Sequence, residues 1–102
     1  MKATHILSIV YLSYAVAVTA TARDVGQNEA LDLRQKGEIM PFEDVFKKAT
    51  QRYPEARLLE VELEEDDDIY IYEIELITRA GVVRELELDA RTGRILADEE
   101  DD

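Results

Sequence analysis

From Leu58 to Asp89 apolar residues alternate with carboxylates. The segments run Leu59-Glu60-Val61-Glu62-Leu63-Glu64, Tyr72-Glu73-Ile74-Glu75-Leu76 and Glu85-Leu86-Glu87-Leu88-Asp89. A period of two marks a half-buried strand, one face apolar and the other wet. Upstream the period changes. Phe42, Val45, Phe46, Ala49 and Tyr53 make one helical stripe, the face a helix lays on a sheet. Pro41 suits a first helical position. Glu43 and Asp44 early and Lys47, Lys48 and Arg52 late match the helix dipole, and Pro54 closes the segment. A shorter helix, Glu29 to Lys36, is expected before it, capped by Asn28 and stopped at Gly37.

Three strands are expected, over residues 57–64, 69–78 and 82–90. Glu65-Asp66-Asp67-Asp68 would join the first pair and Arg79-Ala80-Gly81 the second, with Gly81 as the positive-φ residue of a three-residue hairpin. With Glu65 opposite Asp68, Leu63 faces Tyr70, Val61 faces Tyr72 and Leu59 faces Ile74. With Thr78 opposite Val82, Ile74 faces Leu86 and Tyr72 faces Leu88. Both registers put these residues on one face, so the two hairpins share a core. The expected fold is α+β: one main helix on a three-stranded antiparallel sheet, with a short preceding helix and an N-terminal signal peptide. On the other face Glu60, Glu73 and Glu87 form one row, Glu75 and Glu85 pair in the next, and Glu62 and Asp89 flank Ile71.

The first 22 residues are of another kind. Lys2 and His5 precede an apolar run from Ile6 to Val18, and small residues follow at Ala20 and Ala22. This is the pattern of a secretory signal peptide cut near Ala22, with an earlier cut after Ala20 or retention as the alternatives. Cleavage leaves residues 23–102 with no stable membrane insertion, in the periplasm or secreted. Residues 23–28 read as a flexible N-terminus, 29–97 as the domain and 98–102 as an acidic tail. Lys2 is the only formal charge removed, so the net charge moves from −12 to −13. That balance argues against nucleic-acid binding.

The remaining chain holds no His, Ser, Cys or Trp. Serine–histidine and cysteine–histidine catalysis are excluded within it, as are zinc sites built on His or Cys. Rows of Glu on an open sheet face lack the desolvated carboxyl that acid–base work needs, so no enzyme and no cofactor are expected. The acidic face can keep an exported sheet soluble, dock a cationic partner through Glu60, Glu73, Glu75, Glu85 and Glu87, or hold a divalent cation weakly. For the last, Asp66, Asp67 and Asp68 are candidates, with the tail Asp98–Asp102 expected beside them. The turn is no EF-hand loop, because Ile71 stands where that loop needs glycine.

The ordered run of Pro41-Phe42-Glu43-Asp44, Ile69-Tyr70-Ile71-Tyr72-Glu73-Ile74, Gly81 and Asp89-Ala90-Arg91-Thr92-Gly93-Arg94-Ile95-Leu96 resembles the PepSY domain. That domain occurs in bacterial propeptides of secreted metallopeptidases and in small stand-alone exported proteins, and the resemblance covers about residues 29–97. It implies a regulatory, peptidase-inhibitor-like role without catalytic residues. Asp89, Thr92 and Gly93 are expected to shape a structural turn. With no protease attached, inhibition would act in trans. The expected function is binding and modulation of an envelope protein, a peptidase or a sensor kinase. A cation-responsive acidic module of the Ca²⁺ type is the alternative.

Overall fold

The computed structural model describes residues 22–101. The signal peptide expected at the N-terminus lies outside them, Ala22 apart. Two helices, α1 (Gln27–Gln35) and α2 (Phe42–Arg52), precede the main sheet strands β2 (Arg57–Asp66), β3 (Ile69–Ile77), β4 (Val83–Asp89) and β5 (Ile95–Glu100). A two-residue strand, β1 (Arg23–Asp24), comes before them. The strands form one antiparallel sheet in the order β1-β2-β3-β4-β5.

This corrects the expected three-stranded sheet to five strands. β1 is too short to leave a pattern. Its Arg23, expected in a flexible N-terminus, instead bridges Glu29 and Glu65. β5 takes in Asp98, Glu99 and Glu100, expected in an acidic tail. Its alternation is hidden by an irregularity opposite Glu87 and Leu88, which leaves Leu96 unpaired, and by a carboxylate at an inward position. That carboxylate, Asp98, lies opposite Leu86 on the helix side of the sheet.

The stripe of α2 packs as its spacing demands. Val45 and Ala49 are fully buried against Ile74, Leu76, Leu86 and Leu88. Phe42 and Phe46 stack at 5.6 Å, and Phe42 meets Tyr72 at the same distance. The Tyr72 hydroxyl donates to the Met40 carbonyl at 3.2 Å, so its polar end is satisfied where its ring is buried. α1 begins earlier than expected, with Gly26 rather than Asn28 as its cap, and contributes Leu33 to the core.

The two hairpins differ in how they meet expectation. Between β3 and β4, Ile74 lies opposite Leu86 and Tyr72 opposite Leu88, and Gly81 takes φ +86. Between β2 and β3 the register is two residues from the expected one. Leu63 lies opposite Tyr72 and Asp66 opposite Ile69, so the loop is Asp67-Asp68 alone. Both loop residues have positive φ, 54° and 67°, as a two-residue turn matching the strand twist requires. From Glu60 onward a slip of two keeps every side chain on its face but changes its neighbours; before it an irregularity leaves Leu59, expected opposite Ile74, unpaired and sets Leu58 opposite Leu76.

Candidate functional site: an acidic sheet face

That slip redraws the acidic face. Glu60, Glu75, Glu85 and Glu99 form one row across four strands, and Glu62, Glu73 and Glu87 form the next. Glu64 and Asp89, rather than Glu62 and Asp89, flank Ile71. Asp24 stands beside Glu64 from β1. Every charged side chain in these rows is a carboxylate; Arg57, opposite Ile77, borders the face at one end. Among the described residues no carboxylate of these rows takes part in an ion pair; Arg23, Lys36, Lys47, Arg52, Arg79 and Arg84 pair with other acids.

The electrostatic consequence is largest at the middle. Glu73 is half-buried between two neighbouring strands. Its carboxyl is pushed up to about 7, first by burial and then by Glu64, Glu85, Glu62 and Glu87. Glu64 is raised by burial and by Asp24 and Glu62. Glu75 is raised, chiefly by a hydrogen bond with Asp101 and then by burial. Like charges held side by side favour the neutral form.

Four of the expected docking residues, Glu60, Glu73, Glu75 and Glu85, line one shallow concavity of about 210 Å³ together with Glu62. Glu87 continues the row of Glu73. Two groups bring three carboxylates close enough to share a cation: Asp24, Glu62 and Glu64, and Glu75, Glu85 and Asp101, each with oxygens within 4.8 Å of one another. Neither group includes Asp66, Asp67 or Asp68. β5 runs to the far end of the sheet, where the Asp101 amide donates to the Val83 carbonyl, so Asp98, Glu99, Glu100 and Asp101 do not join that turn. Hard cations take oxygen ligands of this kind. Asp24, Glu62 and Glu64 were not among the residues expected to act, and Glu99 and Asp101 were expected beside the turn at Asp66-Asp67-Asp68 instead. The period of two already places Glu62 and Glu64 beside Glu60; the others needed β1 and β5.

The closing turn is built from local hydrogen bonds. Asp89 Oδ1 accepts from the Arg91 amide at 2.8 Å and Thr92 Oγ1 from the Arg94 amide at 3.2 Å. Gly93 takes φ +77, and its amide donates to the Asp89 carbonyl at 2.8 Å. These three residues spend their polar groups on the backbone.

Comparison with known proteins adds identity to this geometry. The model of the family described as "Peptidase propeptide and YPEB domain", PepSY, matches residues 39–99, more than half of the chain. The chain is 33% identical over 82 residues to the uncharacterized protein YkoJ of Bacillus subtilis (strain 168), an alignment covering 78% of this chain and 48% of that relative. It thus spans about half the length of the curated relative it matches. No solved structure matches.

Proposed function

The chain belongs to the PepSY family, and on that footing we propose that it is a non-catalytic exported module that docks a cationic envelope protein on its acidic sheet face and modulates it. The modulation is inhibition of a peptidase in trans or tuning of a sensor kinase. The observation that supports this reading is the unneutralised face itself. Its carboxylates are held together at a cost, with Glu73 raised to about 7, and that cost is relieved by any partner that brings positive charge. Residues 23–102 offer no His, Ser or Cys for chemistry. No helix among the described residues is long and apolar enough to cross a membrane.

The test is retention of envelope proteins on the immobilised chain at low and at high salt, beside a variant carrying Glu60→Lys, Glu75→Lys and Glu85→Lys. A partner held at low salt, released at high salt and lost by the variant is the expected result, because exposed charges act within about 10 Å at 0.1 M salt. Equal retention by the variant sinks the reading.

The two carboxylate triads favour a second reading, weak binding of a divalent cation of the Ca²⁺ type. A ligand bound only by the native state raises the melting temperature. Ca²⁺ should then raise it more than a monovalent salt at equal ionic strength; an equal effect leaves screening alone as the cause and ends this reading.

A further inference from the structure

The sheet has two edges, and they are finished differently. Both carry an irregularity, β5 at Leu96 and β2 at Leu59, but β5 adds the inward-pointing Asp98, a charge that blunts an edge against further pairing. β2 is covered by β1 only opposite Glu64 and Glu65. The Val25 amide then donates to the Leu63 carbonyl at 2.8 Å, and the chain turns away into α1 at Gln27. Leu63 therefore points its backbone polar groups outward. By the two-residue period Val61 does the same, and among the described residues no strand lies beside it. Among the described residues the edge is open from Glu60 to Glu62, past the irregularity at Leu59.

Its side chains are unusual for an exposed edge. Leu58, Leu59 and Val61 are 38%, 51% and 37% exposed, three of the six exposed large hydrophobics among the described residues. On the helix side, a concavity of about 390 Å³ adjoins this edge, lined by Ala30, Phe42, Val61, Leu63 and Tyr72, with Arg34 also contributing. On the opposite side stand Glu60 and Glu62, at the margin of the acidic rows.

We propose that the open edge of β2 takes an extended segment of the cationic partner as a sixth strand, with side chains alternating apolar and basic. Strand addition draws affinity from main-chain hydrogen bonds and specificity from alternate side chains. Residues of the added strand that face the helices enter the apolar concavity; those between them meet Glu60 and Glu62. A second copy of this chain is the wrong occupant. Antiparallel pairing of β2 with β2 about Val61 sets Glu60 against Glu62 twice, and like charges directly opposite destabilise a sheet. The carboxylates thus select a basic strand and refuse an acidic one.

This inference rests on the proposed docking of a cationic partner, and the test separates the two. The probe is a synthetic peptide alternating lysine and valine, beside a peptide of equal composition with its lysines and valines in separate blocks. Titration should show the alternating peptide bound about tenfold more tightly or better, with the Val61 amide protected from hydrogen exchange. Equal binding of both peptides leaves the acidic face as a docking surface and overturns strand addition. Binding of neither overturns both. Val61→Pro removes an N–H that the two-residue period points outward from the edge, a position where an edge strand tolerates proline. It should keep the wild-type melt and lose the preference for the alternating peptide. Val61→Lys is the second variant, placing a like charge in the path of the incoming strand. A preference intact in a folded variant of either kind overturns the proposal, as does a dimer in sedimentation that forms through β2.

Discussion

Asp98 and Glu73 are both carboxylates held in one sheet, and their surroundings drive them in opposite directions. Asp98 lies on the helix side, its side chain 13% exposed. Burial alone pushes its pKa up, but Tyr53 Oη at 2.6 Å, Arg84 Nε at 2.7 Å and Arg52 Nη1 at 3.0 Å all donate to it and hold it below the usual range. Arg84 also lies over the Tyr53 ring, 5.5 Å from its centroid. Asp98→Ala strips two guanidinium groups of their partner and should destabilise the fold by about 2 kcal/mol. Glu99→Ala next door should change it by less than about 0.5 kcal/mol; urea unfolding of both checks the contrast. A depressed native pKa gives stability that is present at neutral pH and lost as the pH falls below about 4. The penalty of Asp98→Ala should shrink there.

Glu73 has the opposite sign. Its pKa rises from 4.5 unfolded to about 7 folded. Well below 4.5 both states are protonated and the group is neutral in effect. As pH rises from 4.5 to 7 the unfolded chain gives up its proton first, so the fold loses stability. Glu73→Gln should therefore leave the melt at pH 4 unchanged and stabilise at pH 8 by something on the order of 1 kcal/mol, allowing for solvent screening. A stabilisation that is equal at both values would place its cause outside ionisation.

At the scale of elements, the turn between β2 and β3 stands apart. Asp67 and Asp68 both adopt positive φ, 54° and 67°, a region that asparagine, aspartate and above all glycine tolerate. Asp68→Gly relieves that conformation and removes one charge, and should stabilise the chain by about 0.5–1 kcal/mol, read as a shift in urea midpoint with unchanged slope. The same turn explains what the sequence could reveal. Gly81 marks the left-handed position of the β3–β4 hairpin, so that register was legible. The run Asp66-Asp67-Asp68 has no glycine to say which two residues form the loop, and the register read from it was two residues out. The face of each glutamate was legible because a slip of two preserves it; its row was not. β5 was hidden because Asp98 takes an inward position through contacts with Arg52, Tyr53 and Arg84, which lie far from it in sequence. The strand is specified by its partners, so no local alternation announces it.

For the whole molecule, the charges are sorted by side. Arg52 and Arg84 pair with Asp98 beneath the sheet, Arg23 ties α1 to β2, and the outer rows are left to carboxylates. Two opposing pH effects follow. Below about 4 the Asp98 contribution is lost, and above about 7 the repulsion around Glu73 is complete. The melting temperature should peak in mildly acidic solution, between about pH 4 and 6, and fall toward pH 8. Added monovalent salt should flatten the fall, because the outer rows are exposed enough to be screened, while the Asp98 cluster is less so. Thermal melts across pH at low and high salt test both halves. A melting temperature that climbs steadily from pH 5 to 8 at low salt would mean that the outer carboxylates are neutralised within the fold. The acidic face would then hold no unspent charge for a partner to relieve, and the docking reading would lose its physical basis.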